Sequence, residues 1–164
     1  MPEIVCDTSP IQYLHQVGLL HLLPTLARPV TDPPSVLEEI SVGRKLGLNL
    51  PDLAALDWIT TRRPASFAAL PLVTDLGPGE AEVLALTLET KDAIAVLDDA
   101  LARQVAETLR LPLTGTLGLL LDAKRHGLIP AVGPLLEQLD ALGFRLASHT
   151  RAAVLKLAGE RGGL

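Results

Sequence analysis

Three short apolar runs in this chain each stop abruptly on oxygen-bearing residues that also open a helix. "IVC" (Ile4 to Cys6) leads into Asp7, Thr8 and Ser9; "AIAVL" leads into Asp98 and Asp99; "LPL" leads into Thr114, Gly115 and Thr116. A continuous apolar run suits a parallel strand covered on both faces. Strands that alternate with helices imply a mostly parallel sheet with helices on both sides. Such α/β folds keep their sites outside the carboxyl ends of the strands, where the strand order reverses. The residues that end these three runs are therefore the first place to look for chemistry.

At 164 residues the chain can build one domain with a real core. It has one Trp, one Tyr and two Phe, so that core must come from Leu, Val, Ile and Ala. A formal net charge of −5 offers no general attraction to nucleic acid, so a nucleic-acid role has to come from a local site. Cys6 is the only cysteine, which excludes an internal disulfide and a Cys-rich zinc site. The start of the chain lacks a secretory signal pattern, and "VGLLHLLPTLA" is too short and interrupted to span a bilayer. The expectation is a cytoplasmic protein with no membrane contact.

Ser9-Pro10 predicts a helix start with a capping hydroxyl and a proline in the first turn. "RPVTDPP" reads as a short extended segment, and Pro34 opens a helix running to Gly43. "WITTR" favours a strand, "LGPGEAEVLALTLET" is the clearest helix start, and Gly127 and Gly143 stop two later helices. "FRLA" is an edge-strand candidate, and an amphipathic helix of about 148–160 follows as an appended element. Nothing in the pattern marks a second domain.

Acids at helix starts add to the strand-end residues. In the helix after Pro34, Glu39 borders the apolar stripe while Glu38 falls on the polar side. In the helix after Gly79, Glu80 heads the stripe with Val83, Leu84 and Thr87, and Glu82 lies on another face. Each acid alone could simply complement a helix dipole or make a turn. Four separate elements delivering carboxylates to one end of a sheet is harder to explain that way. Clustered carboxylates repel unless a cation joins them, and hard oxygen ligands suit Mg²⁺ or Mn²⁺.

The segments "IVCDTSPIQYLHQVGLLHLLP", "PPSVLEEI", "LGPGEAEVLAL", "VLDDALARQVA" and "LPLTGTLGLLLDAKRHGLIP", in this order, resemble the PIN-domain family, in particular its branch related to VapC toxins. The resemblance spans about Ile4 to Gly143. It implies a three-layer α/β/α sandwich around a mostly parallel sheet, and a Mg²⁺- or Mn²⁺-dependent ribonuclease. By position it implies Asp7 and Asp99 as direct metal ligands, with Asp98 beside them. Glu39 and Glu80 would complete the site, with Glu82 a weaker candidate than Glu80. Thr114 or Thr116 would orient a carboxylate or the attacking water.

Thr8, Ser9, Lys124 and Arg125 are the candidates for contact with substrate. Many family members carry aspartate at the Glu80 position and Thr-x-Asp where this chain has Leu97-Asp98-Asp99. The resemblance also implies RNA as substrate, a small antitoxin as partner and a homodimer. Two rivals remain: an inactive PIN-like module whose acidic pocket docks a partner, and a phosphoacceptor domain of receiver type. The second expects an acidic pair at the first strand, where this chain has Asp7 alone.

Overall fold

The computed structural model describes residues 2–70 and 75–161. Its elements run β1 (Ile4–Cys6), α1 (Thr8–Gln16), α2 (Leu22–Leu26), β2 (Val30–Asp32), α3 (Pro34–Lys45), a 3-10 turn (Leu53–Ala55) and β3 (Ile59–Thr61). They continue with α4 (Pro78–Glu89), β4 (Ile94–Val96), α5 (Ala100–Thr108), β5 (Leu113–Thr114), α6 (Thr116–Arg125), α7 (Gly133–Ala141) and α8 (Ser148–Leu157).

The strands form one sheet in the order β3-β2-β1-β4-β5, and every neighbouring pair is parallel. Helices flank it in the three-layer α/β/α arrangement expected. The chain adds β2 and β3 on one side of β1, then crosses back to place β4 on the other. The reversal of strand order therefore falls between β1 and β4, where Ile4 pairs with Ile94 and Cys6 with Val96. Asp7 leaves one side of that gap and Asp98 the other.

The extended segment expected at "RPVTDPP" is Val30–Asp32, a fully buried strand between β1 and β3. One expectation needs correction. "FRLA" is not an edge strand, because the two residues of β5 that close the sheet offer little backbone to pair with. Residues 144–147 instead run as a connection into α8, with Phe144 edge-on to Tyr13 at 5.0 Å between ring centroids.

The central helix also differs from a one-sided amphipathic reading. α4 packs on β1 and β4, with α3 and α5 against it. Glu82, Val83, Leu84, Ala85, Leu86 and Thr87 are all buried in consequence. A helix covered on several sides is apolar nearly all round. Sequence periodicity within it therefore could not rank Glu80 over Glu82 by burial.

Among the described residues no helix is long and apolar enough to cross a membrane.

Candidate active site

Asp7 takes the N-cap place of α1, yet its side chain makes no capping hydrogen bond. It is only 5% exposed. Burial pushes its carboxyl up to about 7; the Thr8 N–H pulls the other way, and the charges of Glu80, Glu39 and Asp98 add to the rise. Such a shift marks a group whose neighbours disfavour its ionised form.

Glu39 reaches the same place from α3. It is exposed although it borders the apolar stripe of α3, and its carboxylate reaches Thr8 and Gly79. Thr8 Oγ1 donates to Glu39 Oε2 at 2.6 Å. Glu39 Oε1 and Asp7 Oδ1 lie 2.9 and 3.3 Å from the point where a Cβ on Gly79 would stand. The first turn of α4 thus meets two carboxylates where it carries no side chain, and a methyl group would intrude on both.

Glu80, next along α4, turns Oε2 onto the N–H of Gly77 at 2.5 Å. Its carboxyl is nevertheless raised, by burial first, against the Gly77 N–H and with the charges of Asp99 and Glu39 adding. Glu80 therefore both caps its helix and borders the cleft. Glu82 does neither: it is buried and accepts the N–H of Ser35 at 2.8 Å, tying α4 to the start of α3.

The two adjacent aspartates divide the work in the reverse of the expected order. Asp99 is the exposed N-cap of α5 and accepts the N–H of Ala102 at 2.9 Å. Asp98 faces inward. Its Oδ1 accepts the Thr116 N–H at 2.8 Å, and its Oδ2 accepts the Thr116 hydroxyl at 2.6 Å and the Ser9 hydroxyl at 3.3 Å. Of the two threonine candidates it is Thr116, fully buried, that fixes a carboxylate. The Thr114 hydroxyl packs against Gly118 of α6 instead.

Lys124 and Arg125 do not join this group. They lie eight and nine residues along α6 from Thr116, about 12–14 Å at the helical rise. Lys124 Nζ binds Glu160 at 2.8 Å, and Arg125 pairs with Asp122 within the same helix at 3.3 Å.

One acid escaped the sequence reading. Asp32, at the tip of β2, is fully buried, and neither oxygen has a hydrogen-bond partner of good geometry among the described residues. Burial and then the charge of Asp7 push its carboxyl well up, with the Cys6 backbone N–H pulling the other way. Its signal was the one used elsewhere, a short β-branched run ending on an acid. The segment reads as extended, but the sequence reading leaves its acid out of the set.

The arrangement therefore brings Asp7, Glu39, Glu80, Asp98 and Asp99 close enough at the strand-order reversal for their charges to act on one another. None of these carboxylates is in an ion pair among the described residues. No three His, Cys, Asp or Glu side chains among the described residues stand close enough to form a finished metal cage. An open set of carboxylate oxygens still fits Mg²⁺ or Mn²⁺, which bind through a few carboxylates and keep several waters. The space at Gly79 and the unpartnered Asp32 point the same way.

Fold and site together define an α/β protein of the acidic-cleft type, with its carboxylates gathered at the topological switch of a parallel sheet. A family model described as a PIN domain matches residues 3–160, and the chain belongs to the PIN-domain family. PIN domains are typically metal-dependent nucleases. No curated protein and no solved structure matches the chain.

Proposed function

We propose that this protein is a Mg²⁺- or Mn²⁺-dependent endoribonuclease, acting as the toxin of a toxin–antitoxin pair. The observation that carries the reading is the crowding of Asp7 with Glu39, Glu80 and Asp98 at the sheet's switch point without a basic partner among the described residues. Asp7 and Asp98 would hold the cation, with Asp99, Glu39 and Glu80 within reach of it or of its waters. A bound divalent ion would supply Lewis-acid stabilisation of the phosphoryl oxygens and a more acidic water.

The chain's own residues then do the positioning. Thr116 and Ser9 hold Asp98 in one orientation, so its oxygens need not reorganise when substrate enters. Thr8 does the same for Glu39. Gly79 keeps the floor of the cleft open. The whole chain would act as one PIN-like domain in the cytoplasm, with α8 appended, and as a homodimer.

A protein partner is supported by an apolar patch beside Glu39. Val42 of α3 and the following Leu46 and Leu48 are 48%, 76% and 57% exposed. A small antitoxin that covers this patch would also cover the mouth of the acidic cleft. That the described residues form no ready-made cage favours one alternative, an inactive module that docks a partner's basic side chain there. Incubating purified protein with RNA and Mn²⁺ separates the two. Cleavage that disappears in Asp7→Asn supports the nuclease, and an uncleaved RNA with wild-type protein sinks it. Growth arrest on expression, relieved by a co-expressed neighbouring gene, tests the toxin role.

A further inference from the structure

A second cleft, of about 530 Å³, opens beside Asp98 and carries charge of the opposite sign. Its lining includes Asp98, Arg103 from α5, Arg145 from the connection before α8, Gly115, Gly118 and Phe144. Arg103 is anchored, because its Nη1 donates to the carbonyl of Leu97 at 2.7 Å. That atom and Asp98 Oδ1 lie 2.8 and 2.7 Å from the place a Cβ on Gly115 would take. The arginine and the acidic cleft therefore meet at one glycine. Arg145 is exposed on the facing side.

Among the described residues neither arginine is in an ion pair; Arg28, Arg63, Arg110 and Arg161 have none either, but only Arg103 and Arg145 of these line the cleft beside Asp98. In a chain of net charge −5, two arginines without acidic partners beside a carboxylate site need a reason. A polyanionic substrate supplies it. The carboxylates repel RNA, so the strand must be held by cations just outside them. Arginine presents a rigid fork of donors matched to phosphate oxygens, and Arg103 keeps most of its donors free after binding Leu97.

We infer that Arg103 and Arg145 form a subsite for a backbone phosphate of single-stranded RNA, flanking the phosphate that lies against Asp7 and Asp98. The inference rests on the nuclease reading for its orientation, but it is tested by binding alone. Gly115 and Gly118 leave the floor of the subsite open, and Phe144 offers an apolar wall to the sugar.

The test is fluorescence anisotropy of a labelled ten-nucleotide single-stranded RNA with the full chain in EDTA, across a salt series. Arg145→Ala is expected to weaken binding about three- to tenfold and to reduce the log–log salt slope by about 0.7, the value for one lost phosphate contact on a single strand. Arg103→Ala with Arg145→Ala is expected to lose about twice that slope, with circular dichroism checking the fold. Arg125→Ala, at the far end of α6, is expected to match wild type.

Unchanged affinity and slope in Arg145→Ala, or an equal loss in Arg125→Ala, overturns the subsite. Mn²⁺-dependent cleavage by the same protein would then leave the nuclease reading standing. Arginine-dependent binding without any cleavage by wild type supports the subsite and sinks the nuclease. No binding of the RNA by wild type overturns the subsite, and so does tighter arginine-dependent binding of a hexaglutamate peptide, which would assign it to an acidic protein segment.

Discussion

Asp7 and Glu160 are both half-hidden from solvent or more, and the molecule treats them in opposite ways. Glu160, after α8, accepts Lys124 Nζ at 2.8 Å and the N–H groups of Val132 and Gly133 at 2.7 and 2.9 Å. Against a rise from burial, the Lys124 hydrogen bond, those two N–H groups and the Lys124 charge bring its carboxyl down to about 2. Asp7 has no cation among the described residues, several acidic neighbours, and a carboxyl pushed up to about 7. The first carboxylate staples α6, α7 and the end of α8 together. The second is held at a cost to folding, which is the mark of a group kept for binding or chemistry.

Removing the charge at each end should separate the two roles. Asp7→Asn is expected to lower Mn²⁺-dependent RNA cleavage by on the order of 100-fold or more. In EDTA the same variant should be more stable than wild type above pH 7. The sign follows from the raised carboxyl: the folded state holds a proton that the unfolded chain releases near the ordinary value of 3.8. Wild-type stability without metal should therefore fall as pH rises from about 4 to about 7, by up to roughly 4 kcal/mol at about 1.4 kcal/mol per pKa unit. Asp7→Asn should flatten most of that slope, as read by urea unfolding at a series of pH values; a slope unaltered by the substitution would break the contrast.

Gly79→Ala should give the next largest effect on activity. The new Cβ would push Glu39 and Asp7 aside, so cleavage is expected to fall about tenfold. Stability should change by no more than ~1 kcal/mol, because alanine suits a helix better than glycine. Wild-type activity in this variant would show that the spacing of the two carboxylates is not critical.

Glu160→Gln should invert this pattern, costing about 1 kcal/mol of stability through the weakened cap and ion pair, with cleavage per folded molecule unchanged. Its pH signature also runs the other way. The Glu160 carboxyl is lowered, so its contribution is present above the ordinary value of 4.5 and is lost as pH falls towards about 2. Arg125→Ala, which breaks an exposed i,i+3 pair, should change stability by less than ~0.5 kcal/mol.

Much of the fold was legible because the signals are local. "AIAVL" and "IVC" are continuous apolar runs, and Gly127 and Gly143, with φ of +72° and +92°, stop helices where a left-handed residue is needed. β2 was harder, because Thr31 and Asp32 are polar yet fully buried. Only its place between β1 and β3 explains that. Asp7 was legible from its strand and turn context. The choice between Asp98 and Asp99 was not, since either neighbour could have taken the N-cap of α5. Lys124 looked like a substrate contact because its partner, Glu160, lies thirty-six residues away in sequence.

The central claim is that the Asp7 cleft binds a divalent cation, and thermal unfolding of the full chain with and without Mn²⁺ tests it most directly. A ligand that binds only the folded state must raise its melting temperature. Wild-type protein is predicted to melt higher in Mn²⁺ than in EDTA at pH 8. Asp7→Asn is predicted to melt higher than wild type in EDTA and to gain little from Mn²⁺. An unshifted wild type, or an equal Mn²⁺ shift in Asp7→Asn, would contradict the account.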